Sequence, residues 1–455
     1  MKSDIFGQPT SLKSDVALTA WNEAMLGFLA HAAITPVHLG KALDEEPAFA
    51  LGHAVKGMFY ILLGRRELMQ TAIDAYAAAL ESSRHGQITN REQKFVAALG
   101  VWIEGRPSEA IHLIEQVLHD HPTDALAMKL SHAIRFVLGD SDGMRRSIER
   151  VMDAYEHDHA ARGYLLGCHA FALEETGDYE KAEIAGRQAL WMAPDDAWGL
   201  HAVAHVHDMT CNAEKGLEWL TGRESAWAHC NNFRYHVWWH KALMHLDLGQ
   251  VDTVLELYDA EIRSEKTDDY RDISNATSLL MRLELEGISV GNRWEELSDI
   301  CETRTEDGCL IFADLHYLMA LTGDKKPGAT ARMLQRIAQD AKSNDEMASR
   351  MSDPGVAAAN GLEAFGEGQY ENAFTHLCHA RGGMQRAGGS HAQRDVFERI
   401  TIDAGIRAGR LDEAEAILND RQSKRAGRED GYTAARRNLI AVGRGDYDAA
   451  SVPAQ

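Results

Sequence analysis

Apolar residues recur every three to four positions through most of this chain, and one such run after another stops at a glycine. That spacing places the apolar side chains on one face of a helix, so the pattern predicts helices nearly throughout. The stops are Gly64, Gly105, Gly139, Gly177, Gly249, Gly323, Gly368, Gly409 and Gly445. Most are separated by roughly 34 to 45 residues, room for two helices and their turns. Two gaps are about twice as long, and Cys211 and Gly287 fall where the missing turns belong. A repeat of this length in an all-α chain predicts an α-solenoid of helix-turn-helix units.

The clearest unit runs from Gly163 to Pro194. Its helices meet at Thr176-Gly177-Asp178-Tyr179, small residues recur at Ala170, Ala182 and Ala189, and Pro194 ends the second helix. These residues resemble the tetratricopeptide repeat, and the signature returns at Ala110 and Pro122, at Gly361, Gly368, Ala373 and Ala380, and at Gly409 with Ala414. Longer stretches are similar to the tetratricopeptide repeat protein 38 family. They are Glu174-Glu-Thr-Gly-Asp-Tyr-Glu-Lys-Ala182, Pro194-Asp-Asp-Ala-Trp198, His201-Ala-Val-Ala-His205-Val, His236-Val-Trp-Trp-His240-Lys-Ala-Leu, Phe312-Ala-Asp-Leu-His316 and Gly388-Gly-Ser-His-Ala-Gln-Arg-Asp395. Cys211 departs from that family, which usually has the turn glycine there. The resemblance implies the fold and implies little about chemistry. The expected organisation is a lead-in helix over 1–34, a continuous tetratricopeptide-like array over 35–420, and a capping half-repeat and tail over 421–455, with Gly445 to Ala450 as the last half-repeat.

Ten of the 22 histidines lie between His157 and His245. His201/His205 and His236/His240 are i,i+4 pairs, which puts both imidazoles of each pair on one helical face. Counting each turn residue as repeat position 15 places His201 at 5 and His205 at 9, His236 at 2 and His240 at 6, Asp314 at 6 and His316 at 8. The resemblance to tetratricopeptide repeats implies that positions 2, 5, 6 and 9 line a concave groove, so these side chains are expected to converge. His391, Gln393 and Asp395 are expected to reach the same groove from the start of a later helix. Against this stands the bland alternative, in which the histidines are hydrogen-bonded packing residues. Ser390-His-Ala-Gln393 reads as a capping box rather than a nucleophile with its base. His207 and His245 read as structural or exposed, and Trp238 and Trp239 as repeat packing.

His201, His205, His236 and His240 can together supply ligands to a divalent metal, with Asp314 or His316 as a further donor. The glutamate of a metalloprotease helix is missing, because Ala202 and Val237 follow the first histidine of each pair. Three functions stay open: a solenoid that binds a small molecule or peptide at a histidine-lined central site, a metal-dependent or His/Asp acid-base enzyme of hydrolase or lyase type, and a protein-protein interaction scaffold. No glycine-rich phosphate loop or Cys-His nucleophile pair is visible.

Composition narrows the partners. Forty-seven basic residues against 69 acidic ones give a net charge of −22, which repels phosphate backbones and anionic membranes. Neither nucleic acid nor membrane is therefore an expected partner. The start of the chain carries no apolar signal-like stretch, and the six cysteines show no C-x-x-C spacing, which predicts reduced thiols and a cytoplasmic location.

Overall fold

One hydrogen-bond pattern recurs at turn after turn of the computed structural model, which describes residues 1–86 and 88–446. At Gly177 the N–H donates to the Glu174 carbonyl at 2.9 Å, and the next N–H, of Asp178, donates to the Leu173 carbonyl at 2.8 Å. This closure requires a left-handed residue between the two bonds, and Gly177 has φ 82°. Gly105, Gly139, Gly249, Gly287, Gly368, Gly409 and Gly445 close their helices in the same way, each with positive φ. The half-repeat expected beyond Gly445 falls mostly on residues outside the described ones.

Among the described residues, His31, Cys211 and Lys325 close such a turn in place of glycine. Cys211 adopts φ 52° and carries the same two bonds, so it does stand in for the turn glycine. The turn expected at Gly323 lies instead at Lys325, with φ 56° and bonds from Lys325 N–H to Thr322 and from Lys326 N–H to Leu321. Gly323 belongs to the helix Ile311–Gly323, and a Cβ there would come within 2.7 Å of the Trp294 ring. Its glycine serves close packing rather than the turn. Moving the turn by two residues places Asp314 at repeat position 4 and His316 at position 6, instead of 6 and 8.

The small residues perform the role their positions implied. Ala110, Ala170, Ala182, Ala189, Ala373, Ala380 and Ala414 are all fully buried. Arg162–Glu175 packs against Tyr179–Met192 through them, as Val356–Gly366 packs against Tyr370–Arg381. Fold class is thus all-α, built of tetratricopeptide-like helix pairs. The lead-in segment differs from a plain helix: Lys2–Ser3 and Pro9–Thr10 pair as antiparallel strands before Asp15–Leu29, whose start is capped by the Ser14 hydroxyl. Short polar residues such as Ser14 stop a helix extending upstream by taking up its first N–H groups.

The chain divides into two compact units. The first comprises residues 1–203, 222–234 and 345–347, and the second residues 204–221, 235–344 and 348–455. Tyr270–Leu285 and Ile311–Gly323 run through the interior of the second unit and are buried on nearly every face. Ile311–Gly323 is mostly apolar, with Asp314 and His316 as buried polar side chains among its apolar ones. Tyr270–Leu285 carries more: Asp272, Ser274, Asn275, Thr277, Ser278 and Arg282 are all buried.

Candidate functional site

Within the second unit, the end of Ala197–Met209 contributes His205, and Phe233–Asp247 contributes His236 and His240. The i,i+4 spacing sets His236 and His240 one above the other, with Nε2 atoms 3.1 Å apart and ring planes at 83°. The His205 ring lies 4.2 Å from His240 and 6.4 Å from His236, centroid to centroid. One ligand nitrogen from each of the three falls within 4.8 Å of the others. His205 and His240 are fully buried and His236 is nearly so.

A neighbour on Tyr270–Leu285 sets the tautomer of His236. Its Nδ1–H donates to Asn275 Oδ1 at 3.1 Å, which leaves the Nε2 lone pair facing His240. Burial pushes the His236 pKa down to about 4 against the opposing pull of the Asn275 bond. Burial also drives His205 well below the usual histidine range, helped by the charges of His240, His236, His391 and Arg394. His236 and His205 are therefore neutral at physiological pH, the form that ligates metals.

Trp239 stacks on His236 at 5.3 Å, and the Arg282 guanidinium sits 5.5 Å from the Trp239 ring centre. Arg282 donates to the Ser278 carbonyl at 3.2 Å and to the Ala392 carbonyl at 2.6 Å. His316, at repeat position 6 like His240, donates its Nδ1–H to the Phe312 carbonyl at 2.7 Å and sits between the Phe312 and Phe397 rings.

His201 belongs to the first unit, where Nδ1 donates to the Trp198 carbonyl at 2.8 Å and the ring stacks on Phe171 at 5.3 Å. Asp314, Gln393 and Asp395 take other roles. Asp314 is drawn into a buried ion pair with Arg336 at 2.6 Å, because its corrected position 4 turns it toward the following helix. Gln393 completes the capping box: Ser390 N–H donates to its Oε1, and its own N–H donates to Ser390 Oγ. Asp395 is gripped by Arg421 at 2.6 Å and Arg399 at 2.7 Å. Of that helix start, His391 is close enough to His205 to disfavour its protonation.

Asn275 and Arg282 escaped the reading of the sequence. A polar helix such as Tyr270–Leu285 looks solvated when its neighbours are unknown. One signal was present: Arg282 interrupts the apolar run Leu279-Leu-Met-Arg-Leu283.

No family model matches the chain. Among solved structures it is similar to the human IFIT1 dimer with PPP-AAAA, at 13% identity over 96% of this chain and 93% of that one, with a TM-score of 0.43. It is similar to the human IFIT1 dimer with m7Gppp-AAAA at 12% identity, over 88% of each chain and with a TM-score of 0.39. The APC/C hetero-tetramer Cut9-Hcn1 matches at 11% identity, over 97% and 92%, with a TM-score of 0.33. None of these assigns an activity here. The repeat assignment rests on the turns and helix pairs themselves: this is an all-α protein of tetratricopeptide-like repeats.

Proposed function

We propose that this is a ligand-binding repeat protein whose working centre is a divalent metal ion held by His205, His236 and His240. The observation that carries the reading is the 3.1 Å separation of the His236 and His240 Nε2 atoms beside a third buried imidazole. Two imidazoles on a tetrahedral zinc, at Zn–N of about 2.0–2.1 Å, stand roughly 3.3 Å apart. The His236 and His240 nitrogens thus need to move by only tenths of an ångström. Asn275 supports the site by fixing the tautomer that presents the His236 Nε2 lone pair, as partners of metal-bound histidines do.

Three nitrogen ligands leave a coordination position for a ligand from outside. A small molecule suits that position better than a nucleic acid, given the net charge of −22. The open position also favours a second reading, a metal-dependent hydrolase in which bound water becomes the nucleophile.

Cobalt substitution tests the centre. Tetrahedral coordination by the three imidazoles should give the protein an intense visible absorption with Co2+, and His236→Ala should abolish it. Absorption no stronger than that of hexa-aqua cobalt would remove the reading.

A further inference from the structure

The second unit holds polar groups that the histidine cluster does not use. Among the described residues, Arg282 Nε, Trp239 Nε1 and Asn275 Nδ2 are buried N–H donors with no acceptor, and His316 Nε2 is a buried acceptor with no donor. Each of the four residues is at most 1% exposed. Buried polar atoms are nearly always paired, so four in one neighbourhood point to a common partner. They are physically linked. Asn275 holds His236, Trp239 stacks on His236, Arg282 lies over Trp239, and the Arg282 charge is felt at His316.

The charge balance says what kind of partner. Arg282 has two neutral carbonyls as its hydrogen-bond acceptors, and its nearest carboxylate, Asp395, is 4.0 Å away and already bound by Arg421 and Arg399. Burial and the neighbouring Arg399 accordingly pull its pKa down to about 9, which an anion at Nε would reverse. His316 asks for the opposite partner. Because Nδ1–H is committed to the Phe312 carbonyl, Nε2 carries the lone pair and accepts a hydrogen bond. Phe312, Phe397 and Trp239 supply apolar walls.

We propose that Arg282, Trp239, Asn275 and His316 form a binding site for a small hydroxylated oxyanion, a hydroxycarboxylate or a hydroxylated phosphate ester. The oxyanion takes the N–H groups of Arg282, Trp239 and Asn275, and the hydroxyl donates to His316 Nε2. This names the ligand class of the proposed binding function, and it stands on groups other than the three metal ligands.

The test is thermal unfolding and tryptophan fluorescence of full-length, chelator-stripped protein titrated with glycolate, acetate, glycerol phosphate and propyl phosphate. Glycolate or glycerol phosphate should give a saturable shift, and its counterpart without the hydroxyl should bind at least roughly tenfold more weakly. Whichever pair responds separates the carboxylate source from the phosphate source. Arg282→Gln should abolish the shift. Should that variant fail to fold, His316→Phe, which suits its aromatic surroundings, should keep oxyanion binding and lose the preference for the hydroxyl. No saturable shift with any probe overturns the proposal, as does a shift that persists in R282Q or a hydroxyl preference that survives in H316F. Binding that appears only after zinc is restored also overturns it, because the ligand then sits on the ion and the metal reading alone survives.

Discussion

His236 donates its Nδ1–H to Asn275 Oδ1 at 3.1 Å, and that bond decides which ring nitrogen faces His240. Without an acceptor at 275, burial would leave His236 free to choose the other tautomer, with Nε2 protonated and closed to a metal. Asn275→Leu should therefore weaken zinc binding by roughly 10- to 100-fold, and Asn275→Asp, which keeps an acceptor, should not. Competition against a chromophoric chelator measures this. Equal affinity in all three proteins would contradict the role given to Asn275.

The turn at Lys325 gives a second expectation. A side chain in the left-handed region costs on the order of 1 kcal/mol, so Lys325→Gly should stabilise the protein by about that amount. Gly323→Ala should do the reverse, because its Cβ meets Trp294 at 2.7 Å. Urea unfolding of both variants checks the pair. A neutral G323A would mean the ring can move aside.

Asp196 ties stability to pH in the first unit. Its carboxyl is fully buried with Lys129 nearby, and burial pushes its pKa from 3.8 up to about 7. Between those values the folded protein keeps a proton that the unfolded chain has released, so folding stability falls as pH rises through the window and levels off above it. Asp196→Asn should remove this slope. Denaturant midpoints measured across the window, in wild type and D196N, would show parallel curves if Asp196 titrates normally.

The second unit shows the opposite sign. Arg421 and its neighbours hold Asp395 and Asp430 well below the usual carboxylate range. Their stabilisation is complete above about pH 4 and is lost as pH falls toward the folded values. Arg421→Met strands two buried carboxylates and should cost about 3 kcal/mol at neutral pH. A loss below about 0.5 kcal/mol by calorimetry would show that Arg399 and Arg425 suffice without it.

How much of this was legible in the sequence depended on the physics involved. Helix pairing followed from periodicity and from glycines that only a left-handed turn explains, and Cys211 took the turn that spacing assigned to it. Register failed where a glycine had a different reason to exist. Gly323 makes room for Trp294, so counting from it shifted Asp314 and His316 by two positions. The His236/His240 pair was visible because helical spacing alone brings the two rings together. Asn275 and Arg282 were not, since their importance comes from burial by helices distant in sequence. Asp395 looked available because its arginine partner lies on the next helix.

The most direct test of the metal centre is the zinc content of untagged protein, exposed to zinc and then desalted, beside His240→Ala and His240→Gln. The expected result is about one tightly held zinc per wild-type chain, lost from both variants while their helical circular dichroism is unchanged. Wild-type protein that retains no zinc, or variants that retain as much as wild type, would contradict the assignment of His205, His236 and His240 as metal ligands.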